Sequence, residues 1–195
     1  MSTAAVPVPE DWHPPDRGVV GIASFIVAEA ALFLMFLIGY LFYLGKSLNR
    51  PYPAQVLKTP VFITICLLSS SATIVLAERA LRRDAVRRFL LWLGATILLA
   101  LIFLAGTGLE WRELIVDDHL TIATNVFGTT FYSLVGLHAT HVTIGLIFML
   151  IVMIASLTGF PVQTQERRIR FLSWYWHFVD VVWVFVFLVV YVIGR

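Results

Sequence analysis

Two histidines, His138 and His141, stand about one helical turn apart inside the apolar segment Gly136-Leu137-His138-Ala139-Thr140-His141-Val142-Thr143-Ile144-Gly145. A second apolar segment, Trp174-Tyr175-Trp176-His177-Phe178-Val179-Asp180, adds an imidazole and a carboxylate. A third carries Glu29 within Phe25-Ile26-Val27-Ala28-Glu29-Ala30-Ala31-Leu32-Phe33. Side chains of these types hold protons, ligate metals or bond across helices. Each is costly in hydrocarbon, so a chain that keeps several there has a use for them.

The spacing narrows that use. Residues i and i+3 share a helix face, so His138 and His141 point to one side. A transmembrane bis-histidine haem needs ligands from opposing helices, which this pair cannot give. A histidine-rich di-metal site needs more ligands than His138, His141 and His177 supply with so few carboxylates nearby. Hydrogen bonding between helices is the reading the spacing favours, with Glu29 or Asp180 as partners. His177 and Asp180, again i,i+3, read as a polar clamp that fixes register. Glu29 reads either as a structural carboxyl facing a neighbouring helix or as a proton-relay or gating group. Glu29 lies about 16 Å into its helix and Asp180 about 15 Å into its own. These depths predict one polar node of Glu29, His141 and Asp180.

The elements that position these groups follow from composition. Of the 195 residues, 59% are hydrophobic and 13% charged, where a soluble domain has about 25% charged. A spanning helix needs roughly 20 mostly apolar residues. Five segments qualify: 18–44, 60–79, 88–109, 125–157 and 170–193. The predicted fold is an all-α integral membrane bundle of five transmembrane helices. One membrane domain, 18–195, follows a flexible tail, 1–17. The tail holds Glu10, Asp11, Asp16 and four prolines and lacks the apolar run of a signal peptide. The single Cys66 excludes an internal disulfide and suits packing. The net charge of +2 is dispersed, and no basic stripe suggests nucleic acid.

Loop cations set an expected orientation. Arg17, Arg79, Arg82, Arg83, Arg87, Arg88, Arg167, Arg168 and Arg170 fall on one side, against Lys46, Arg50, Lys58, Arg112 and Arg195 on the other. The excess predicts a cytoplasmic N-terminus and an external C-terminus.

Local signals fill in the spans. Pro14-Pro15-Asp16 opens the first, with Asp16 as cap, and Thr59-Pro60 opens the second. Ser69-Ser70-Ser71-Ala72-Thr73 predicts a close helix contact. The third span is expected to end at Gly106-Thr107-Gly108-Leu109-Glu110-Trp111, where the glycines weaken the last turns. Glu110 then caps the loop, Trp111 meets the interface, and 112–124 forms an acidic external segment. The fourth span, at about 33 residues, is predicted to tilt or to emerge at one end. Trp176 and Trp183, two turns apart, read as a packing edge or as lipid or subunit contacts. Arg79, Arg82, Arg83, Arg87 and Arg88 read as an orientation signal or as contacts with anionic lipid or a partner subunit. No Walker loop, dinucleotide fingerprint, cysteine metal motif or nucleophile elbow is present in the sequence. The chain therefore reads as a subunit of a larger machine. A stand-alone proton or ion transporter is the alternative, and the lack of an internal repeat counts against it.

Phe127-Gly128-Thr129-Thr130-Phe131-Tyr132 through His138-Ala139-Thr140-His141-Val142-Thr143-Ile144-Gly145, together with Tyr175-Trp176-His177-Phe178-Val179-Asp180-Val181-Val182-Trp183, resembles subunit III of the haem-copper oxidases. Phe25, Glu29 and Phe33, the serine-rich second span and Glu110-Trp111 match further motifs of that family, so the resemblance covers roughly residues 15–194. This chain is similar to the five-span bacterial form. Longer members carry two additional helices that make a V-shaped, lipid-filled cleft, which a neighbouring subunit would have to complete here.

The resemblance implies an accessory subunit in the bacterial inner membrane, with no catalytic centre, cofactor or metal of its own. Haems and copper sit in subunits I and II, and structural phospholipids are expected. Subunit I is the direct partner, followed by subunit II, cytochrome c through the complex, and a respiratory supercomplex. The implied role is to stabilise subunit I and to support proton uptake and oxygen access, while the complex reduces oxygen and translocates protons. A quinol oxidase subunit and the accessory protein of nitric oxide reductase are the close alternatives. The family's embedded glutamate corresponds to Glu29, its paired histidines to His138 and His141, and its His/Asp pair to His177 and Asp180.

Overall fold

Among the described residues, five helices are long and apolar enough to cross a membrane, and no strand occurs. The computed structural model describes residues 16–47, 50–158 and 165–194. The tail expected over 1–17 lies outside these residues up to residue 15, as do residues 159–164 of the predicted loop and Arg195.

Helix α1 spans Arg17–Tyr43, and its first turn is capped by Asp16, whose Oδ1 accepts from the Gly18 N–H at 2.7 Å. A one-turn helix, α2 (Pro53–Val56), which the sequence did not announce, precedes the second span, α3 (Val61–Leu81). Helices α4 (Val86–Val116), α5 (Val126–Leu157) and α6 (Glu166–Phe187) follow. The chain after α6 continues as a π-helical turn, Leu188–Ile193, that holds Tyr191 inward with 2% exposure.

Helix α3 packs on α4 and α6, and α5 also packs on both α4 and α6. These four close a ring around the core, while α1 leans on the α5/α6 seam from outside. Only Phe33 and Tyr40 of α1 are buried. Phe36 and Leu37 of α1 pack partly buried against the core, whereas Val27, Leu34, Met35 and Ile38, like Phe62 and Leu91 (71% and 72% exposed), face outward as a hydrocarbon solvent requires.

Two boundaries correct the sequence reading. Helix α4 does not stop at residue 109 but continues to Val116, so the first part of the expected external segment, 112–116, is helical. Gly106 does not weaken it; a Cβ there would lie 2.4 Å from Ile63 Cγ2, so the glycine lets α3 and α4 approach. Helix α6 begins at Glu166, four residues earlier than 170. On the surface beside the α2 turn, Lys58 reaches across to the Glu113 carboxylate on this extended part of α4. That hydrogen bond and charge hold the Lys58 ammonium above its ordinary range.

Candidate functional site

The polar groups gather at two seams rather than in one node. At the α1/α5 seam, Glu29 Oε2 and His141 Nε2 are 3.0 Å apart. The other ring nitrogen, His141 Nδ1, donates to the Leu137 carbonyl at 2.8 Å. Because a carbonyl only accepts, Nδ1 carries hydrogen, and the Glu29–His141 bond holds one proton between its two atoms. Tyr175 on α6 donates to the His141 carbonyl at 3.0 Å, and Phe33 packs its ring 4.8 Å from the imidazole. The Glu29 side chain keeps 21% exposure, so the pair opens onto the outer surface of the bundle.

Asp180 is not part of that pair, which corrects the predicted three-residue node. The Ser71 hydroxyl on α3 donates to Asp180 Oδ2 and lies 2.9 Å from His177 Nδ1. One serine hydrogen cannot serve both acceptors, so His177 Nδ1–H donates to the serine oxygen. Ser173 stands 3.4 Å from His177 Nε2 and completes the chain of contacts. The physical reason is azimuth. Depth along α6 matches Glu29, but the Asp180 face of α6 turns to α3, on the far side of the bundle from α1.

Of the two readings of the tryptophans, packing edge or lipid and subunit contact, the structure takes the first. Trp176 and Trp183 are 0% and 1% exposed and point into the bundle. Trp176 Nε1 donates to Ser70 Oγ at 2.8 Å, and Trp183 Nε1 donates to Thr64 Oγ1 at 3.2 Å. The hydroxyls are anchored in turn, Ser70 on the Leu67 carbonyl and Thr64 on the Pro60 carbonyl. The sequence does carry a signal for this: two indoles spaced i,i+7 on one helix and hydroxyls spaced i,i+6 on another.

His138 also departs from its expected role. It is fully buried, and neither ring nitrogen meets a protein hydrogen-bond partner. Its ring instead lies 4.8 Å from Trp183, 5.8 Å from Phe103 and 6.3 Å from Phe33. It packs as an aromatic group, and His141 alone of the two makes the interhelical bond. Glu110 caps nothing, since α4 runs on past it. Its Oε2 accepts from the Tyr191 hydroxyl at 3.1 Å, joining α4 to the π-helical turn. Arg79, Arg82, Arg83, Arg87 and Arg88 are all exposed at the α3–α4 turn, with Arg82 paired to Glu78.

Among the described residues, no three His, Cys, Asp or Glu side chains gather as a metal site would need. A groove of about 560 Å³ runs between α1, α5 and α6. Its walls are apolar, including Phe25, Ile144 and Tyr175, while Gln165 and Arg168 stand at one end. The arrangement offers proton-holding groups at two helix seams and an apolar groove beside one of them.

Comparison with known proteins agrees with this architecture. A family model described as cytochrome c oxidase subunit III matches residues 16–195. A cytochrome c oxidase subunit 3 of Alkalihalophilus pseudofirmus is 36% identical over 177 residues, covering 90% of this chain and 86% of the relative. One from Synechocystis is 35% identical over 185 residues, covering 92% of this chain and 77% of the relative. A cytochrome bo(3) ubiquinol oxidase subunit 3 of Pseudomonas aeruginosa is 31% identical over 188 residues, with coverages of 94% and 90%.

Proposed function

We propose that this chain, which belongs to the cytochrome c oxidase subunit III family, serves a bacterial proton-translocating terminal oxidase as a non-catalytic accessory subunit. It packs against the haem- and copper-bearing subunit I, stabilises that subunit and supports its proton uptake and oxygen supply. The family match along residues 16–195 carries this reading. The four-helix ring supports it, because its interior is filled by side chains such as Trp176, Trp183 and Phe103. The outer α1/α5 seam, where Glu29 remains partly exposed, is the face that a partner would cover. An uncovered carboxyl in hydrocarbon is costly. The N-terminus lies in the cytoplasm and the C-terminus outside, in the inner membrane.

Phospholipid acyl chains fill the groove between α1, α5 and α6, with Arg168 and the buried Gln165 amide toward the head group. Cytochrome c is the electron donor to the complex, as the names of its relatives from A. pseudofirmus and Synechocystis suggest. The Pseudomonas relative favours a second reading, in which the donor is a quinol.

Native purification through a tag on this chain tests both. Co-purification of a haem-bearing subunit I with a subunit II holding a dinuclear copper centre is the expected result. A haem-bearing complex without that centre transfers the chain to the quinol reading. Purification without any haem protein, together with proton flux in liposomes holding this chain alone, overturns the accessory role in favour of a transporter.

A further inference from the structure

All lysines of this chain, Lys46 and Lys58, fall on the side of the α2 turn, while the opposite side carries arginine only. That bias toward arginine is densest at the α3–α4 turn. Arg79, Arg82 and Arg83 close α3, and Arg87 and Arg88 open α4, all with exposed side chains. Glu78 and Asp84 are the acidic residues within the turn, and Glu78 is engaged by Arg82. Five cations against two anions leave a local net charge of +3 at the point where two spanning helices leave the hydrocarbon.

Below the arginines, α4 continues outward-facing and apolar. Leu91 is 72%, Trp92 38% and Leu98 59% exposed. The order is guanidinium, then an indole and a leucine one turn down, then a further aliphatic side chain. It matches the order of phosphate, carbonyl and acyl chain across one leaflet. A guanidinium presents a planar fork of donors that fits a phosphate with two parallel bonds, which an ammonium cannot do.

We propose that the α3–α4 arginine turn is a docking surface for the phosphate groups of anionic phospholipid in one leaflet, selecting such lipid over zwitterionic lipid around α4. The proposal rests on the membrane-spanning fold and not on membership of an oxidase, so it stands or falls independently of that function. With roughly fivefold per cation near an anionic surface, a net charge of +3 gives a preference of about a hundredfold at low salt.

The test uses the full chain in nanodiscs of phosphatidylglycerol and phosphatidylcholine, with bromine carried on one lipid or the other. Bromine quenches tryptophan on contact, and the share due to Trp92 is the difference between wild type and W92F. Brominated phosphatidylglycerol is expected to quench Trp92 severalfold more than brominated phosphatidylcholine at equal mole fraction. The preference should fall to parity in R83Q/R87Q/R88Q and in about 1 M salt, where screening shortens to about 3 Å. The variant R83K/R87K/R88K, with charge but no fork, should keep an intermediate preference.

Equal quenching of Trp92 by both lipids with the arginine turn intact overturns the proposal. So does a preference that survives intact in the triple glutamine variant. Loss of the preference on adding inorganic phosphate assigns the turn to a free anion, and loss on adding an acidic peptide assigns it to a protein partner; either overturns the lipid reading.

Discussion

Glu29 on α1 and His141 on α5 are joined by one hydrogen bond of 3.0 Å. It is a polar tie for a helix whose buried side chains are Phe33 and Tyr40. Since Nδ1 of the imidazole is committed to the Leu137 carbonyl, Nε2 can accept from any donor placed at residue 29. E29Q keeps a donor there, and E29A does not. E29Q should retain α1 packing, while E29A should cost about 1–3 kcal/mol, the price of an unpaired buried polar group. Thermal unfolding of the purified complex reads the difference, and equal losses in both variants would show that the bond is incidental.

The Trp176–Ser70 bond predicts a measurable coupling. W176F and S70A each remove one partner, and the double variant removes both. Their interaction energy should be about 0.5–1.5 kcal/mol in a double-mutant cycle on unfolding. Additive losses would mean that Trp176 acts through its volume alone.

His138 predicts the opposite behaviour. A buried ring whose nitrogens meet no protein partner has little to lose on replacement by an apolar ring of similar shape. H138F should change stability by less than about 1.5 kcal/mol, in the range of volume-conserving core swaps. H138A should cost about 3 kcal/mol through the cavity it leaves against Trp183 and Phe103. If H138F proves as damaging as H138A, a polar partner of the imidazole must exist.

Lys58 gives a pH dependence with a defined sign. The Glu113 hydrogen bond and charge raise its pKa above the ordinary 10.5. A raised lysine contributes stability that is complete below the unfolded-state value and is lost as pH climbs through the folded-state value. The bridge should therefore persist at neutral pH and fade only above about pH 10.5. In E113Q, the Lys58 titration followed by carbon-13 shifts of its side chain should return to the ordinary lysine range; an unchanged curve would dissociate Glu113 from the effect.

What the sequence made legible follows from what hydrocarbon penalises. The five spans, the serine contact face of α3 and the Glu29–His141 pair all involve groups that must be either buried in lipid or bonded. What it hid is azimuth. Hydropathy and depth put Asp180 level with Glu29 but leave open which neighbour it faces, and α6 turns it toward Ser71. The sequence left the tryptophans open between packing and lipid contact because lipid and protein core are equally apolar, so composition does not separate the two faces of a spanning helix. The extension of α4 was missed because a glycine that breaks a helix and one that admits Ile63 look alike in sequence.

The indole-to-hydroxyl rungs between α6 and α3 also act as a vernier. The donors are spaced by seven residues, at Trp176 and Trp183, and the acceptors by six, at Ser70 and Thr64. Sliding α6 by one turn would carry both indoles away from Ser70 and Thr64, the hydroxyls that accept their N–H hydrogens. A slipped pairing thus strands an indole donor in a dry interior. The two rungs together hold α6 to α3 at one register. The ladder thus writes the helix register into the mismatch between two spacings.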